Sequence, residues 1–132
     1  MPLRLSLKAG ERLIVGGAVV RNAGHRTALL IENDVPILRG REVMALDDAD
    51  SPCRRIYFTI QLMYVDTANL ADHRQLYLQL LRDVLEASPS MAPRLKEINE
   101  LVANGQYYQA LKRARKLIAY EQELISHVPH RG

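Results

Sequence analysis

Residues 3–22, LRLSLKAGERLIVGGAVVRN, carry the pattern from which the fold is read. Over Leu3-Arg4-Leu5-Ser6-Leu7 apolar and polar residues alternate strictly, which places the leucines on one face of a strand and Arg4 and Ser6 on the other. Lys8-Ala9-Gly10-Glu11 is a turn. Two further apolar runs, residues 12–15 and 18–21, flank Gly16-Gly17, the two-residue glycine pair of a tight hairpin. Working outward, Asn22-Ala23-Gly24-His25 turns the chain into a fourth run at residues 27–31. Asn33-Asp34 then leads into residues 35–38, where Pro36 marks a sheet edge because it lacks a ladder donor. Five short strands in about 40 residues bury too little apolar surface to stand alone. The segment is therefore expected to dock on helices, to pair with a second copy as a homodimer, or both.

Beyond Met44 the periodicity changes. Residues 44–50, MALDDAD, form an acidic connection, and Ser51-Pro52 has the form of a helix start, with a hydroxyl at the N-cap and proline at the first helical position. Residues 53–65 are ambiguous: Ile56, Phe58, Ile60, Leu62 and Tyr64 alternate as in a buried strand, while the start signal favours a helix. Residues 70–87 are helical, with Leu76-Tyr77, Leu80-Leu81 and Val84-Leu85 recurring at 3.6-residue spacing. Pro89 and Pro93 enforce a turn. A shorter helix follows with Leu95, Ile98, Leu101 and Val102 inward and stops at Asn104-Gly105. A last helix spans about residues 106–126, and a frayed tail is expected over residues 127–132. The sequence thus predicts an α+β protein. It comprises a small N-terminal antiparallel β-subdomain over residues 1–45, a linker over 46–52, and three or four helices over 53–132.

The 132 residues suit one domain or two packed subdomains, and 48% apolar content is enough for a core. Net charge is only +3, but it is unevenly spread. Residues 1–45 hold seven Lys/Arg against four Asp/Glu, residues 46–90 four against seven, and residues 91–132 seven against four. Basic ends around an acidic middle suit an anionic partner. The single cysteine, Cys53, excludes an intramolecular disulfide and a thiolate zinc cluster. The N-terminus has no signal-like apolar region, and no apolar run approaches the roughly 20 residues of a membrane span, so a cytoplasmic protein with no membrane partner is expected.

The cations of the β-subdomain, Arg4, Lys8, Arg12, Arg21, Arg26, Arg39 and Arg41, fall largely at strand ends and turns, where long side chains can converge on phosphates. No aromatic residue precedes Tyr57, so the sheet offers no stacking platform. Lys112-Arg113 and Arg115-Lys116 form the densest basic cluster, on a helix face whose ordinary meaning is solvation. The histidines, His25, His73, His127 and His130, have neither metalloprotease spacing nor a partner cysteine, and no base can be assigned to Cys53. Neither catalysis, a metal nor a cofactor is indicated.

Four segments carry a family resemblance: LRLSLKAGER, GGAVVRN, PILRGREVM and, most specifically, SPCRRIYFTIQLMYVD. Together they resemble the flagellar biosynthesis repressor FlbT family of alphaproteobacteria, over essentially the whole chain. That resemblance implies a post-transcriptional regulator that binds the 5′ untranslated region of flagellin mRNA and represses its translation or promotes its decay. It also implies FlaF, the flagellin-synthesis regulator, as a partner. Helix stripes with tyrosines would suit a rival role, an adaptor that receives FlaF or flagellin itself. Within the first segment, LxLSLKAGERLIV is similar to the opening strands of the carbon storage regulator CsrA, an intertwined β-dimer that binds RNA through basic residues of its first and last strands. This second similarity implies Arg4, Arg39 and Arg41 as RNA-binding residues; among the other arginines of the sheet, Arg12, Arg21 and Arg26 are second choices.

Overall fold

The computed structural model describes residues 2–126. The chain folds as two compact units, one ending at Met44 and the other beginning at Ala45.

In the first unit the alternating runs form β1 (Leu3–Leu7), β2 (Arg12–Val15), β3 (Ala18–Arg21), β4 (Thr27–Ile31) and β5 (Ile37–Arg39). They build two small sheets rather than one: β1 pairs with β4, and β2 lies between β3 and β5, every pairing antiparallel. The core joins Leu5 and Leu7 of β1 to Leu13 of β2, with Val15, Leu29, Ile31 and Ile37 packed against them. Leu3 shares the strand face of Leu5 and Leu7 but pairs with Ile31 at the outer end of its ladder, and it is 47% exposed. The hairpin is closed by Gly16 and Gly17 at φ +54° and +93°, a backbone that two glycines adopt without strain. At the hairpin's base the Gly10 N–H donates to the Asn22 carbonyl (2.7 Å) and the Asn22 N–H to the Glu11 carbonyl (3.0 Å). Two residues thus oppose one, a bulge with Gly10 in the left-handed region at φ +77°.

The second unit contains α1 (Pro52–Val65), α2 (Leu70–Ala87), α3 (Ala92–Ala103) and α4 (Tyr107–Ser126). The ambiguous stretch is helix, and Ser51 caps it, its hydroxyl accepting the Arg54 N–H at 3.2 Å. The lack of a single apolar stripe has a simple cause: α1 packs against both α2 and α4 and buries Cys53, Ile56, Tyr57, Thr59, Ile60, Gln61 and Met63, so burial reaches around more than one face of the helix.

α1 and α4 run antiparallel, with Tyr57 beside Arg115 and Tyr64 beside Tyr108. At one end of this seam the Glu121 carboxylate, 6% exposed, accepts the Cys53 N–H (3.0 Å) and the Ser51 hydroxyl. A carboxylate there meets the unpaired amides and positive dipole end of α1. α2 departs from the stripe read in its sequence. Tyr77 and Val84 are buried, whereas Leu76 and Leu85 are 50% and 44% exposed. The expected frayed tail lies outside the described residues.

Candidate nucleic-acid interface

The antiparallel topology sorts the cations of the β unit. Lys8 follows the end of β1, Arg12 opens β2, Arg21 ends β3, Arg26 precedes β4, and Arg39 ends β5 with Arg41 just beyond. Because β1 turns into β2 over four residues and every pairing is antiparallel, all six lie at one end of the unit. Arg4 stands apart, exposed and opposite Leu30. The acids Glu32 and Asp34 sit at the far end, after β4 and before β5.

Asn22 holds the basic end in shape. Its side-chain amide donates to the carbonyls of Leu7 (3.2 Å), Lys8 (3.1 Å) and His25 (2.8 Å), and its oxygen accepts the Gly24 N–H (3.1 Å). One residue therefore ties the turn carrying Lys8 to the turn carrying Arg26. In the β2–β3 ladder Arg12 lies directly opposite Arg21. Counting from the closing pair Val15–Ala18, this is a non-hydrogen-bonded position, where opposite side chains come closest. Like charges so placed repel. No acidic side chain among the described residues pairs with Arg12, Arg21 or Arg26.

Arg39 is arranged differently. Its guanidinium donates to the Ser6 carbonyl and lies 3.5 Å from Glu11 Oε2, and its backbone N–H donates to Glu42 (3.1 Å). It joins β5 to β1 and to the β1–β2 turn. Glu11 Oε1 also accepts the Lys8 N–H at 3.0 Å. That bond and the nearby Arg39 guanidinium hold the Glu11 carboxyl below the usual glutamate range, against a smaller opposing effect of desolvation. Residues 8–11 and 39–41 line an open groove of about 530 Å³ that brings Lys8, Arg39 and Arg41 around this one carboxylate. Lys8 thus lies beside Arg39 and Arg41 in one groove. Its turn position carried the signal, but the long-range return of β5 beside it was not readable locally.

Of the remaining candidates for chemistry, Cys53 and His73 have defined surroundings, while His127 and His130 lie outside the described residues. Cys53 is buried, and burial, with the Glu121 carboxylate adding, pushes its thiol far up, away from a nucleophilic thiolate. His73 pairs with Asp66 at 2.9 Å. Among the described residues no group of three or more His, Cys, Asp or Glu is placed to hold a metal ion, and no helix is long and apolar enough to cross a membrane.

Fold and surface together define a small α+β protein whose β unit concentrates cations at one end. The family described as "Flagellar protein FlbT" matches residues 3–125. The "Probable flagellum biosynthesis repressor protein FlbT 1" of Bradyrhizobium diazoefficiens is 43% identical over 94% of this chain and 85% of its own. A "Probable flagellum biosynthesis repressor protein FlbT" of Rhodopseudomonas palustris is 36% identical over 96% and 99%, and the "Flagellum biosynthesis repressor protein FlbT" of Caulobacter vibrioides 35% over 97% and 92%. No solved structure matches. The chain belongs to the FlbT family, a family of regulators rather than of enzymes.

Proposed function

We propose that this protein regulates flagellar synthesis by binding the 5′ untranslated region of flagellin mRNA and repressing its translation or promoting its decay. The names of its relatives support the regulatory role and its negative sign. The observation that carries the RNA reading is the gathering of six of the seven β-unit cations, Lys8, Arg12, Arg21, Arg26, Arg39 and Arg41, at one end. Repulsion between Arg12 and Arg21 is relieved when a phosphate sits between them. Arg39 and Arg41 extend the contact along the groove, and Arg4 is a separate, outlying contact. Gel-shift titration on a flagellin leader tests this: replacing Arg12 and Arg21 with glutamine weakens binding at least tenfold. Undiminished affinity in a folded double variant removes this surface from the mechanism.

A second reading rests on an apolar groove of about 260 Å³ between α2 and α3, lined by Leu78, Leu81, Leu85 and Leu95. There the protein would receive FlaF or flagellin and act on the message indirectly. Capture of FlaF by a protein that shows no salt-dependent RNA binding favours it.

A further inference from the structure

The helical unit carries a second cationic surface, and its composition differs from that of the β unit in one respect. The β unit has no aromatic residue, whereas the α1–α4 seam sets half-buried tyrosines beside cations. Tyr64 of α1 and Tyr108 of α4 pack with ring centroids 6.2 Å apart, tilted by 42°. Lys112 Nζ stands 4.9 Å from the Tyr108 ring centre. One turn on, the Arg115 guanidinium lies 5.1 Å from the ring centre of buried Tyr57 and donates to its hydroxyl at 3.3 Å. Lys116 lies one turn beyond Lys112 on the same exposed face. Like charges spaced i, i+3 and i, i+4 weaken a helix, and among the described residues no carboxylate pairs with Lys112 or Lys116. Arg113, by contrast, points to the other flank and is paired with Glu97 at 2.7 Å.

We infer that this face, Tyr64, Tyr108, Lys112, Arg115 and Lys116, is a base-stacking site for single-stranded RNA. The inference rests on reading the protein as RNA-binding and adds a division of labour: the β unit supplies contacts to phosphates, the helical unit a ring on which a base can stack. Base–aromatic stacking outweighs an exposed cation–π contact, so an incoming base displaces the Lys112 ammonium from the Tyr108 ring. The flexible lysine then turns to the phosphate of the same nucleotide, alongside Lys116. Arg115, held by Tyr57, keeps its charge fixed at the edge of the site.

The test uses the full chain and fluorescein-labelled oligouridylate, with inorganic polyphosphate and polyglutamate as competitors that carry charge without bases. Tyr108→Leu weakens oligouridylate binding about tenfold, within the range of one stacked base, and leaves competition by polyphosphate unchanged. Tyr108→Phe retains wild-type affinity, and Lys112→Gln/Lys116→Gln weakens oligouridylate and polyphosphate alike. Wild-type affinity in a Tyr108→Leu variant with unchanged melting temperature overturns the inference. So does equal loss for oligouridylate and polyphosphate, or preference for polyglutamate, which would mark an acidic protein as the occupant. If Tyr108→Leu fails to fold, reduced affinity in the folded Tyr108→Phe variant, or unchanged affinity in the double lysine variant, overturns it. Loss of binding on changing Arg12 and Arg21 but not the helical residues leaves the β-unit reading standing. A wild-type protein that binds neither oligouridylate nor a flagellin leader brings both down.

Discussion

Arg12 and Arg21 hold like charges directly opposite one another in the β2–β3 ladder. Directly opposed like charges destabilise a strand pair by a few tenths to about 1 kcal/mol. Replacing either one with glutamine therefore raises the urea midpoint at low ionic strength. The gain shrinks at about 1 M salt, where screening acts over about 3 Å. A fall in stability on either substitution would mean that the guanidinium makes a favourable contact instead. This opposition was legible in the sequence: counting outward from Gly16-Gly17 as a two-residue turn sets Val15 against Ala18 and Arg12 against Arg21. The clasp of Arg39 on Ser6 and Glu11 was not, because it depends on β5 returning beside β2 from more than twenty residues away.

α1 shows how an element can be readable at its end and obscure along its length. Ser51 and Pro52 announced a helix, while the burial of the following residues on two sides erased the amphipathic stripe that usually confirms one. What no local pattern revealed is that Glu121, seventy residues on, completes the cap. Ser51→Ala removes the acceptor for Arg54 and a donor to Glu121 at once, and it should cost about 2 kcal/mol, the upper end for an N-cap. Equilibrium denaturation reads this directly, and a loss below about 0.5 kcal/mol would show that Glu121 compensates alone. The split of the strands into two sheets was equally hidden. Alternation identifies strands, but pairing partners depend on the path of the whole unit.

At the scale of the whole molecule, binding by clustered cations has a measurable exponent. On single-stranded RNA each neutralised phosphate contributes about −0.7 to the slope of log affinity against log salt, so the Arg12→Gln/Arg21→Gln variant should be shallower by about 1.4. A slope unchanged by that variant would place the phosphate contacts elsewhere. The edge strand β3 extends this to solution behaviour. All four of its residues are exposed, Val19 by 65%, and its outer edge has no strand partner among the described residues. Such an edge accepts strands from other molecules unless a charge discourages them, and Arg21 is the charge that β3 carries. Phosphates that neutralise Arg21 remove that protection, so solubility is lowest near charge balance with RNA and recovers in excess of either component.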